Sequence, residues 1–168
     1  MNFVKALKIQ IYNLIRSYRF TVVNKLLDEH SKTLLDIGCD ELFFYDKLKD
    51  KYDITLADYS PRTEQIKKED VQNLSFADNS FDIVLCQQVL EHVPNPVKAI
   101  LELKRVTTKQ LIISVPYEPF FTLCRFLTWE AEHLWAITPR LLRFHLGDPV
   151  CEKKICLKRY YVGVWKFD

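Results

Sequence analysis

Residues 34–44 read LLDIGCDELFF. A short apolar run stops at Gly38, as a buried parallel strand does on entering a ligand loop, and residues 41–51 then read as a helix. Glycine at such a point permits positive φ and a close approach of backbone to a ligand. No second glycine follows in the loop. Either the loop still cradles a cofactor by other means, or a binding fold has lost its ligand.

Outward from this stretch the same pattern repeats. Residues 54–57 form a second apolar run, ending at Asp58 and the turn signal Ser60-Pro61. Residues 81–86 (FDIVLC) read as a third strand, residues 96–106 as a helix, and residues 111–115 (LIISV) as a fourth strand closed by Pro116. Strand alternating with helix implies right-handed crossovers and a parallel sheet covered on both faces. Residues 150–167 look like two more strands, rich in β-formers, and fit an antiparallel hairpin at one sheet edge. The expected fold is therefore α/β: a Rossmann-like, doubly wound, mostly parallel sheet with an antiparallel edge hairpin at the C-terminus.

A single domain is expected over residues 1–168, with a helical cover at 1–30, a core at 31–116, and acceptor-side helices and strands at 117–168. The apolar residues of 3–27 recur at helical spacing with basic residues between them, which suits a covering helix or a membrane-surface helix. Residues 117–146 are aromatic and helical in character, holding Phe120, Phe121, Phe126, Trp129, Trp135 and Phe144. Those rings serve either core packing or an apolar acceptor site.

Charge adds a modest constraint. The net charge of +2 is too small for a nucleic-acid footprint, although basic residues outnumber acidic ones 5 to 2 over residues 1–30 and 7 to 3 over residues 140–168. Basic termini keep peripheral membrane contact open as a reading. The five cysteines (Cys39, Cys86, Cys124, Cys151, Cys156) include no C-x-x-C pair, so neither a disulfide framework nor a zinc site is expected, and no metal is assigned. Without a membrane-length apolar run or a signal peptide, the expected compartment is the cytoplasm.

In an open parallel sheet, ligands sit outside the carboxyl ends of the strands where strand order reverses. Gly38 and Asp58 fall there, and an acidic side chain has two oxygens suited to the vicinal hydroxyls of a ribose. At these residues the chain resembles the class I S-adenosylmethionine-dependent methyltransferases, in particular the small-molecule type that includes the quinone-biosynthesis enzymes. LLDIGC is similar to their first motif and LADYSP to the acidic loop after their second strand. The block EDVQNLSFADNSFDIVLCQQVLEHVPNPVKAILELKRV is similar to their fourth strand and following helix, and the resemblance covers roughly residues 30–116.

The resemblance implies S-adenosylmethionine as cofactor and methyl transfer as the activity, with a methyltransferase-like binding or regulatory module as the alternative. It also implies a set of site residues. Asp36 and Gly38 would frame the methionine end with Asp40 beside them, and Asp58 would hold the ribose. Asp70 would meet the adenine amino group next to the backbone amide of Val71. Cys86 and Gln87 would approach the sulfonium through their backbone. Glu91 and His92 match the family's EH pair, in a structural or acceptor-facing role. His92, ahead of His133 and Tyr117, is the candidate general base for an acceptor that must lose a proton.

Three departures from the family pattern stand out. Asp40 and Leu42 occupy later glycine positions of the loop. Only eleven residues separate Asp58 from Asp70, which leaves space for a turn and a short helix at most. The region after Pro116, where the family chooses its acceptor, is short.

Overall fold

The computed structural model describes residues 3–39, 42–117 and 133–167. Among them the apolar runs become β1 (Thr33–Ile37), β2 (Asp53–Asp58), β4 (Phe81–Gln87) and β5 (Thr107–Pro116), with a two-residue β3 (Lys67–Lys68) between β2 and β4. The C-terminal hairpin consists of β6 (Cys151–Ile155) and β7 (Tyr160–Lys166). The helices are α1 (Phe3–Asn24), α2 (Tyr45–Leu48), α3 (Pro96–Val106) and α4 (Pro139–Leu146).

All seven strands share one sheet in the order β3-β2-β1-β4-β5-β7-β6. The first five pair in parallel, and β7 runs antiparallel to both β5 and β6. Order reverses between β1 and β4, so the loops leaving those strands flank a crevice. Register levels its rim, because Ile37 lies opposite both Ala57 and Cys86.

The strands are apolar on both faces for a visible reason. Leu35, Ile37, Val84 and Cys86 pack with α3 and α4 on one side, whereas Leu34, Ile83 and Leu85 pack with Val23, Phe44 and Leu48 on the other. Alternate residues thus serve separate cores, which removes the apolar/polar alternation of a half-exposed strand. Capping fixes where α3 begins: the Asn95 side chain accepts from the Lys98 amide at 3.0 Å, and Pro96 occupies the first turn, where its missing N–H costs nothing.

Several expectations need correction. The helix expected over residues 41–51 is a single turn, Tyr45–Leu48. Phe43 and Phe44 lie in a turn before it, where their rings meet Phe20 of α1 at 6.0 and 5.1 Å, so tertiary packing outweighs helix propensity there. Between β2 and β3 the chain runs through bends and turns with no helix, and the shortened wall adds only the two residues of β3 to the sheet. Among the described residues the helical reading of residues 117–146 holds at α4, while residues 133–138 are irregular; residues 118–132, with Phe120, Phe121, Phe126 and Trp129, lie outside the described residues. Helix α1 packs on the core near its end, at Val23, while Leu7, Ile11, Leu14 and Tyr18 are exposed.

Candidate active site

Gly38 sits at the mouth of the crevice with φ of +75°, a conformation that side chains rarely adopt. A Cβ there would also lie 2.2 Å from Cγ2 of Val89, in the loop leaving β4. The Gly38 amide donates to the Ala57 carbonyl at 2.8 Å, tying the loop to the end of β2. On the other side Gln88 has φ of +58°, and its amide donates to the Ser114 carbonyl at 2.9 Å. A non-glycine residue held in this region stores strain that the surrounding contacts must hold in place. The two loops therefore meet, and the glycine is required by both conformation and space.

Acidic groups converge around this mouth. Asp36 is 4% exposed, and its carboxyl is pushed up to about 7, first by burial and then by Asp58, with Arg19 opposing. The Cys39 thiol is raised to about 12 by burial and by the negative fields of Asp36 and Asp58. Burial, followed by Glu91 and Asp36, raises the fully buried Cys86 thiol well above its ordinary value. Three carboxylates thus act on one region, which favours a cationic ligand.

Arg19 is a functional candidate that the sequence did not reveal. In the sequence it is one basic residue of an amphipathic helix. The aromatic contacts of Phe20 with Phe43 and Phe44, together with Val23, dock this end of α1 and carry Arg19 inward. Its Nε is buried and has no hydrogen-bond partner among the described residues. Burial lowers its pKa, opposed by Tyr160, Tyr12 and Glu91.

Asp58 ends β2, where its Oδ1 accepts from the Ser60 amide at 2.8 Å. The Glu69 amide donates to the Asp58 carbonyl at 2.9 Å, which sets Asp70 beside the same rim. Asp70 accepts from the backbone amide of Gln72 at 2.9 Å and from its side chain at 3.1 Å, and Gln72 Oε1 accepts from the Asn95 amide at 2.8 Å. Arg105 clamps this loop from α3 by donating to the Leu74 and Phe76 carbonyls at 3.1 and 2.8 Å. Val71 is buried in the core, as are Cys86 and Gln87 at the end of β4, and Gln87 Oε1 has no hydrogen-bond partner among the described residues. Asp40 lies outside the described residues.

Beyond β4 the EH pair occupies a turn in which the His92 amide donates to the Val89 carbonyl at 2.9 Å. Glu91 is 1% exposed, whereas His92 is exposed. The amides of Leu134 and Trp135 both donate to the Glu91 carbonyl, at 2.8 and 3.2 Å, and bring His133 to His92 with ring centroids 4.8 Å apart. Tyr117 lies half-buried at the end of β5, under the Lys154 ammonium at 4.4 Å.

Residues 35–113 match the family model described as a methyltransferase domain. An uncharacterized methyltransferase of Schizosaccharomyces pombe is 46% identical over 56 residues, 27% of this chain and 20% of that protein. An uncharacterized protein of Methanocaldococcus jannaschii is 32% identical over 111 residues, 62% of this chain and 49% of that one. The chain therefore spans a fifth and about half of the lengths of these curated relatives. Among solved structures, a SAM-dependent methyltransferase from Archaeoglobus fulgidus superposes with a TM-score of 0.72 at 13% identity, covering 95% of this chain and 99% of that one. Residues 35–113 thus resemble the methyltransferase-domain family, and the strand order together with the likeness to solved structures shows a Rossmann-like methyltransferase fold.

Proposed function

We propose that the chain binds S-adenosylmethionine at the carboxyl ends of β1, β2 and β4 and transfers its methyl group to a small apolar acceptor. The observation that carries this reading is the convergence of Asp36, Asp58 and the Glu91 field on a mouth that only glycine can form at position 38. S-adenosylmethionine brings a sulfonium, an ammonium and a ribose diol. The acids complement the first two, and Asp58 suits the third. Arg19 supplies a positive partner for the ligand's carboxylate, a role supported by its buried and unpartnered Nε. The family resemblance implies that Asp40 would stand beside the methionine moiety, Asp70 and Val71 beside the adenine, and Cys86 and Gln87 beside the sulfonium.

When bound, the cofactor supplies a methyl already activated by its sulfonium. The chain's own residues align the reactants and exclude water. The packed contact of Gly38 with Val89 and the apolar cluster behind the rim do the excluding. His92 stands on the acceptor side, where a proton must be removed if the acceptor is a hydroxyl or an ammonium. An apolar acceptor is supported by the aromatic composition of residues 117–146, and contact with a membrane surface by the exposed apolar residues of α1.

The test is a pair of calorimetric titrations with S-adenosylmethionine and S-adenosylhomocysteine, followed by mass-spectrometric detection of S-adenosylhomocysteine formed with a panel of apolar phenols and amines. S-adenosylhomocysteine lacks the sulfonium charge, so an acid-lined site binds it less tightly before solvent screening is counted. Equal binding of the two ligands would remove the electrostatic basis of the reading.

A further inference from the structure

We propose that Glu91, His92 and His133 form a binding site for one divalent transition-metal ion of the zinc class. One carboxylate oxygen of Glu91 and one ring nitrogen from each histidine lie within 4.8 Å of one another. Ligand atoms of a tetrahedral zinc site are about 3.4 Å apart, given bond lengths of about 2.0–2.2 Å. Small rotations of the two imidazoles close that difference. Two imidazoles and one carboxylate are a donor set that suits zinc, with a fourth position left for water or substrate.

Backbone geometry builds the site. Glu91 and His92 are adjacent in the turn after β4, and His133 comes from a segment 41 positions later. Two hydrogen bonds from Leu134 and Trp135 to the Glu91 carbonyl fix that segment against the turn. The nitrogen donors are therefore held by main-chain contacts on both sides. This long separation explains why no ligand pattern is visible along the chain.

Metal ligation assigns His92 a role other than free general base, since a ring nitrogen that coordinates a metal has no lone pair for a proton. That consequence rests on the methyl-transfer reading; the binding site itself does not. An acceptor hydroxyl at the fourth position would lose its proton to solvent water. Its oxygen would then form a bond to the methyl carbon while the carbon–sulfur bond breaks and its electron pair stays on sulfur. The products would be a methyl ether, S-adenosylhomocysteine and one released proton.

The experiment uses the full chain after treatment with a chelator. Zinc is titrated by calorimetry and cobalt(II) by visible absorption, with S-adenosylmethionine titrated separately on the same preparation. One equivalent of metal is expected, with cobalt bands typical of nitrogen and oxygen ligands and no thiolate charge-transfer absorption. His92→Ala and His133→Ala should each weaken zinc binding by about a hundredfold or more, since even losing an outer partner of a ligand costs about 10–100-fold. His92 is exposed, so its variant keeps the fold, and Glu91→Gln provides a same-size test at the buried position. Zinc affinity unchanged in His92→Ala and His133→Ala, absence of binding, or a thiolate band would each overturn the site. Metal binding without S-adenosylmethionine binding would leave the site standing and contradict the methyl-transfer reading.

Discussion

Asp36 concentrates the electrostatics of the crevice. Its carboxyl rises from 3.8 to about 7, mainly through burial. The native state therefore holds a proton that the unfolded state has already lost between about pH 4 and pH 7. Stability should fall as pH rises across that window and level off above it, by up to about 4 kcal/mol at 1.36 kcal/mol per pKa unit. Denaturant melts from pH 4 to 8 should show this slope, and Asp36→Asn should flatten it. An unchanged slope would place the titrating group elsewhere. The same proton competes with a cationic ligand, so S-adenosylmethionine should bind more tightly as pH rises through about 7.

Gly38 supplies a second test at the same scale. Gly38→Ala combines a strained φ with a 2.2 Å contact to Val89 and should cost about 2–4 kcal/mol of stability. Val89→Ala in the same chain should recover part of that loss, because the clash is with its methyl group. The recovery appears as a coupling in a double-mutant cycle. Strictly additive melting shifts would show that the loops do not meet as described.

At the scale of elements, helix α1 divides into two parts. Phe20 and Val23 dock it, while Leu7, Ile11, Leu14 and Tyr18 form an exposed stripe at spacings of four, three and four residues. Lys25, Lys153 and Lys154 line a groove with Tyr18 between α1 and the edge strand β6. An apolar stripe beside lysines suits the surface of an anionic bilayer. Co-sedimentation should capture the chain on vesicles containing phosphatidylserine but not on neutral ones, and Leu14→Asp should release it. Equal partition with neutral vesicles would remove the electrostatic part of this proposal.

The parallel strands β1, β2, β4 and β5 and helix α3 were legible in the sequence because each is a buried apolar run or a periodic segment, whereas the exposed two-residue β3 was not. Residues 81–86 and 111–115 could be read within a few positions for that reason, and the helix read over residues 96–106 has the bounds of α3. Helix α2 was overestimated, since nothing local shows that Phe43 and Phe44 are committed to α1. The same limit hid Arg19 and the meeting of His133 with His92, both products of chain segments far apart in sequence. Asp36, Gly38 and Asp58 were legible because each stands at the end of a recognisable strand.

At the scale of the whole molecule, the mixed sheet brings three strand ends to one rim and leaves the antiparallel pair β6–β7 at the far edge. No helix among the described residues is long and apolar enough to cross a membrane. On the proposed function, this rim holds S-adenosylmethionine through its ribose at Asp58. Calorimetric titration of wild type and Asp58→Ala tests it most directly. One site of micromolar affinity is expected in wild type, with about ten- to a hundredfold weaker binding in the variant, as follows from losing a charged hydrogen-bond acceptor at about 1.5–3 kcal/mol. Affinity unchanged in Asp58→Ala, or no heat and no thermal shift in wild type at millimolar ligand, would contradict it.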